Sequence, residues 1–177
     1  TLLGNHEIMN ALADFRYVTA GGFSDFDFTP GMKLTAPDGT LRPADEARRK
    51  AFEPGGPWAR RLARFGVAVI VGDTLFAHAG ILPQHARYGL TRINREARMW
   101  LLGAHRFPWY LGREDSPVWT RMYGANDPKM CATLAEALEL TGTKRMVVAH
   151  TVQKLGPTSA CDGKLWRIDV GISRAYG

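Results

Sequence analysis

Asn5, His78 and His150 each follow a mainly apolar run: Leu2-Leu3-Gly4, Thr74-Leu75-Phe76-Ala77 and Met146-Val147-Val148-Ala149. An amide oxygen and two imidazoles form a donor set that a divalent ion accepts, and the neutral amide adds coordination without adding negative charge. Gly4, just before Asn5, removes a side chain where backbone and ion would approach closely. Small residues after the histidines, in His78-Ala79-Gly80 and next to Thr151, leave room for the rings to turn toward one centre. His6 would point away from Asn5 on an extended backbone, so that one residue holds metal while its neighbour faces substrate. An imidazole titrates near neutrality and can protonate a departing alkoxide. Each position also has an ordinary reading: Asn5 as the N-cap of the helix that follows, any single histidine as a structural residue. Three strand-end positions taken together favour chemistry. His85 and His105 stand in loop-like contexts and carry no such signal.

Positioning these groups requires strands that end where the ligands begin. Residues 1–4 read as a buried strand end, and residues 7–15 carry apolar or small side chains at helical spacing (Ile8, Met9, Ala11, Leu12, Phe15). Residues 20–43, rich in Gly, Pro, Asp and Thr with a Pro37-Asp38-Gly39 turn, read as surface loop or cap; the cap region extends over about 20–60. Short helices are expected over 45–52 and 58–65. The run Val67 to Val71 suits a strand buried on both faces, and Gly72-Asp73 turns it into a second strand that delivers His78. Helices are expected over 91–103 and 128–140, the latter with Pro128 in its first turn and Gly142 as its stop. Residues 104–127 read as an aromatic- and Gly-rich loop. Strands are expected over 145–149, ending at His150, and over 165–170. Interleaved helices and strands with a hairpin predict an α/β fold, α+β being the alternative, built on a mixed sheet with flanking helices. Ligands beyond strand C-terminal ends are where open α/β sheets place their sites.

The chain has 177 residues, 45% hydrophobic and 23% charged, ordinary for one folded domain. No eighteen-residue apolar run exists, so no membrane span is expected. The net charge of +6 is dispersed, and Arg60-Arg61-Arg64 and Arg92-Arg95-Arg98 fall at the spacing of solvated helix faces rather than in a nucleic-acid-binding stripe. Nucleic acid is therefore not the expected partner. Cys131 and Cys161 have no metal-type spacing, and a core this large needs no staple, so two free structural thiols are expected rather than a pair. The chain opens without an initiator methionine or signal peptide, which reads as a piece of a longer protein and leaves its compartment unread.

Gly4-Asn5-His6-Glu7, His78-Ala79-Gly80 and Ala149-His150-Thr151-Val152-Gln153 resemble the later motifs of the calcineurin-like metallophosphoesterases, in their phosphoprotein phosphatase branch. Gly72 to Gly80, Ser116-Pro117-Val118-Trp119-Thr120-Arg121 and Cys161 to Gly171 are similar to the Shewanella-like protein phosphatases. The resemblance covers residues 1–177, which would form the C-terminal portion of a single metallophosphoesterase domain with a mixed β-sheet sandwich. It implies that Asn5, His78 and His150 bind one ion of a dinuclear centre, with manganese first among the metals and iron or zinc as alternatives. It makes His6 the proton donor to the leaving oxygen, and Arg121 a candidate to grip phosphate through its planar guanidinium. Asp169 resembles a C-terminal strand position of related phosphatases, although a structural aspartate is its simpler reading.

The family's earlier motifs, Asp-x-His and Gly-Asp-x-x-Asp-Arg-Gly, do not occur in this sequence. They supply the other ion's ligands, the bridging carboxylate, an arginine on phosphate and the aspartate that orients the catalytic histidine. The resemblance thus implies a two-metal phosphatase acting on phosphorylated protein or small phosphoesters in the full-length protein, with this piece alone inactive. A dinucleoside polyphosphate hydrolase of the same superfamily is the neighbouring alternative. The alternative of another class is a non-catalytic module whose arginines bind an acidic partner, which predicts salt-sensitive association and no metal uptake.

Overall fold

Three neighbouring parallel strands set the geometry of the molecule, a computed structural model that describes residues 1–25, 44–125 and 127–173. β1 (Ala68–Val71) and β2 (Thr74–Ala77) form the expected antiparallel hairpin, with Gly72 at φ +61° in its turn. β3 (Arg145–Val148) lies parallel to β2, β5 (Leu165–Arg167) parallel to β3, and β4 (Thr158–Ala160) closes the edge antiparallel to β5. The five-stranded mixed sheet has the order β1-β2-β3-β5-β4. The α/β expectation holds; among the described residues there is one sheet, without the second sheet of a sandwich. Parallel pairing of β2 with β3 demands a crossover. α5 (Pro83–Tyr88), α6 (Leu90–Leu101), a 3-10 turn (Trp109–Gly112) and α7 (Met130–Thr141) supply it.

Helix expectations hold in kind and shift at their ends. Residues 5–11 form α1 (Asn5–Ala11), which begins two residues earlier than the apolar spacing suggested. α3 (Ala44–Phe52) and α4 (Pro57–Leu62) match the two short helices, preceded by α2 (Ala20–Ser24) at the start of the expected cap. The cap's middle, residues 26–43 with the Pro37-Asp38-Gly39 turn, lies outside the described residues. Arg92, Arg95 and Arg98 are solvated on α6, as their spacing indicated, while Ile93, Ala97 and Leu101 are buried. Gly142 at φ +65° ends α7 in the left-handed conformation that glycine adopts without penalty. Four elements escaped the reading: α2 and the 3-10 turn, in segments read as loop, and α5 and β4. At five, four, six and three residues they are too short for periodicity to show.

The sheet's two faces differ. Leu75, Ala77, Met146, Val148 and Leu165 pack on Met130, Leu134, Ala137 and Leu138 of α7. A second cluster joins Leu3, Ile8, Val67, Ile93, Trp100 and Tyr110 and fixes α1 against α6. On the opposite sheet face, Val69, Phe76, Val147 and Trp166 stand in register across four strands. That face is only half covered: Val69 is 43%, Val71 63% and Trp166 40% exposed. The expectation that residues 67–71 are buried on both sides is therefore corrected. Val67 and Ala68 are buried, but β1 is an edge strand and its outward residues meet solvent.

Cys131 and Cys161 form a disulfide, against the expectation of free thiols. Packing brings the first turn of α7 against the turn between β4 and β5, leaving the two Cα atoms 5.4 Å apart, within bridging range.

Candidate functional site

β2, β3 and β5 run parallel, so the residues after their C-terminal ends share one edge of the sheet: His78, His150 and Asp169. The Ala149 N–H donates to the His78 carbonyl at 2.8 Å and the Ile168 N–H to the Val148 carbonyl at 2.9 Å, which extends the pairing to the ligands themselves. His150 adopts φ +63°, a left-handed conformation rare for a residue with a Cβ. Such local strain is retained where the surroundings demand one particular side-chain direction.

α1 supplies the third ligand. Gly4 occupies the N-cap position, and its N–H donates to Glu7 Oε2 at 2.8 Å. Asn5 is thus the first helical residue and not the cap. Its side chain, in a residue 5% exposed, turns inward. Asn5 Oδ1 lies 2.9 Å from His78 Nε2, which lies 3.2 Å from His150 Nδ1. The three donor atoms named from the sequence converge. His6 diverges from Asn5 because helical neighbours are about 100° apart, not because the backbone is extended. It is exposed and stacks on Tyr17 with ring centroids 5.3 Å apart and planes 9° from parallel.

Burial pulls His78 down to about 4, against the upward influence of Asp169. Burial likewise pulls His150 to about 4, assisted by His78 and the positive charge of Arg121. Both rings are consequently neutral at pH 7, with lone pairs to give. Donors about 2.1 Å from an ion and at right angles to one another stand about 3.0 Å apart, so separations of 2.9 and 3.2 Å fit shared coordination. His150 Nε2 is buried with no hydrogen-bond partner among the described residues. No set of three His, Cys, Asp or Glu side chains arranged for a metal occurs among the described residues, since the third donor here is an amide.

These residues line a cavity of about 440 Å³ together with His6, Glu7, Tyr17, Trp119, Arg121 and Asp169. Every residue proposed from the sequence (Asn5, His6, His78, Arg121 and His150) lies in it. Arg121 is exposed, and its Nη1 donates to Thr151 Oγ1 at 3.3 Å, next to His150. The loop carrying it is pinned by buried Arg167, whose Nε donates to the Tyr123 carbonyl at 2.6 Å. Trp119 meets the His150 ring edge-on at 5.8 Å. Asp169, read as structural, does accept the Gly171 N–H at 3.0 Å, yet it also faces the cavity. The sequence reading set it inside a strand expected over 165–170, whereas β5 ends at Arg167 and leaves Asp169 beyond the strand, like His78 and His150. His85 is bland as expected but helical, buried in α5 with its Nδ1 accepting the Leu82 N–H at 3.3 Å.

The same arrangement of elements occurs in a cold-active protein tyrosine phosphatase from a psychrophilic Shewanella species, with a TM-score of 0.67 at 19% identity over 97% of this chain and 49% of that one. No family model matches the chain. It is 37% identical to Shewanella-like protein phosphatase 2 of Arabidopsis thaliana, across 98% of the chain and 53% of that protein. It therefore spans about half the length of that relative. With the uncharacterized protein R398 of Acanthamoeba polyphaga mimivirus it shares 30% identity over 99% of the chain and 81% of that protein, and it belongs to the same family.

Proposed function

We propose that the protein to which this chain belongs is a metal-dependent phosphatase that hydrolyses phosphate monoesters on phosphorylated protein. The observation that carries the reading is the convergence of Asn5 Oδ1, His78 Nε2 and His150 Nδ1. Homology to proteins named as protein phosphatases supports it. Asn5, His78 and His150 would hold one divalent ion, manganese first, then iron or zinc. A bound ion at such a site supplies Lewis-acid neutralisation of phosphoryl oxygens and lowers the pKa of a bound water. Three neutral donors leave its charge uncompensated; Glu7 and Asp169 line the same cavity, and the second ion's ligands would come from the family motifs that this sequence lacks. By itself this chain is expected to be inactive.

The remaining residues have roles that their positions permit. Arg121, at the cavity mouth, would take two phosphate oxygens through its guanidinium. His6, exposed on the cavity wall, would deliver a proton to the leaving oxygen as the ester bond breaks. Tyr17 holds the His6 ring from one side.

Metal content and p-nitrophenyl phosphate turnover of the full-length protein test this reading. His78→Ala is expected to lower both metal affinity and turnover on the order of 100-fold or more. Unchanged metal content and turnover in that variant would overturn the assignment.

A further inference from the structure

Trp119 and Arg121 belong to two cavities at once. One is the 440 Å³ cavity that holds the ligand set. The other, about 570 Å³, is completed by Gly112, Arg113 and Glu114. The charges around this second cavity are not equally available. Arg113 Nε donates to Asp115 Oδ1 at 2.9 Å, and its guanidinium lies over the Trp109 ring at 5.9 Å. Arg121 donates to Thr151 and also lines the first cavity, where the phosphatase reading gives its charge to phosphate. Glu114 is exposed, and among the described residues it has neither an ion pair nor a hydrogen bond. It places an exposed carboxylate without a hydrogen-bonded charge partner in a lining that also holds Arg113 and Arg121.

Resting on the phosphatase reading, we propose that this second cavity receives the side chain two positions from the phosphorylated residue of a polypeptide substrate, and that Glu114 selects a basic side chain there. Successive residues of an extended peptide advance about 3.3 Å and alternate faces, so the side chain two positions from a residue anchored in the first cavity returns to the same surface about 6.6 Å further on, toward the shared Trp119–Arg121 wall. The indole covers the aliphatic stem of a lysine or arginine, whose head then reaches the carboxylate.

The test uses the full-length protein, manganese and three phosphopeptides that differ only in having Lys, Ala or Glu two residues to either side of the phosphorylated residue, with p-nitrophenyl phosphate alongside. The wild type is expected to prefer Lys over Ala by about threefold to fivefold in kcat/KM, the size of an exposed charge pair, carried by KM. E114Q is expected to bring that ratio toward one, and E114K to reverse it in favour of Glu. Calorimetry with non-hydrolysable phosphonate versions of the peptides is expected to show the same order. Turnover of p-nitrophenyl phosphate without any peptide preference, or the same preference in wild type and E114Q, overturns the subsite and leaves the phosphatase reading standing. A protein inert toward every phosphoester overturns both.

Discussion

A Cβ on Gly4 would lie 2.9 Å from His78 Nδ1 and 3.0 Å from Glu7 Oε2, closer than real side chains tolerate. Gly4→Ala is therefore expected to push His78 off its position, lowering metal affinity about tenfold and stability by about 1–3 kcal/mol, measured by calorimetry and urea unfolding. Protonation acts on the same residue scale. Burial depresses His78, His85 and His150 to about 4. An unfolded chain binds a proton at each near pH 6.5, whereas the folded chain does so only near 4. Their contribution to stability is thus complete above about pH 6.5 and is lost as pH falls toward 4. The urea midpoint is expected to drop between pH 7 and pH 4.5, less steeply in His85→Gln; a flat midpoint would contradict the burial. His78 and His150 were legible in the sequence because a strand end and a small neighbour are local signals. Trp119 and Asp169 were not legible as site residues, since only the fold brings the loop before Arg121 and the end of β5 to the same cavity.

Elements carry their own information and their own gaps. The β1–β2 hairpin, α6 and α7 follow from a tight turn and from apolar spacing, both short-range properties. The disulfide does not: Cys131 and Cys161 are 30 residues apart, and their approach depends on α7 docking beside the β4–β5 turn. Serine at both positions is expected to lower stability by about 2–4 kcal/mol, the usual worth of closing such a loop, readable as a shift in urea midpoint. Buried Arg167 links β5 to the Arg121 loop through the Tyr123 carbonyl and to α7 through Met130 Sδ. Arg167→Leu would orphan that carbonyl and is expected to cost about 1–3 kcal/mol and loosen the loop. Faster amide exchange over residues 121–125 would register the change.

At the scale of the whole molecule, the mixed sheet and its helices were readable, but the covering of each face was not. The sequence of β1 is as apolar as a strand enclosed on both sides, and alternation cannot say what lies opposite. In the structure Val69, Phe76, Val147 and Trp166 form a row that is half open to solvent and begins at β1, the edge strand. Apolar association strengthens on warming and weakens on cooling. A solution of this chain alone is accordingly expected to turn cloudy on warming, at temperatures where its helical circular dichroism is intact, and to clear again in the cold. Lysine in place of Val69 or Trp166 is expected to raise that clouding temperature.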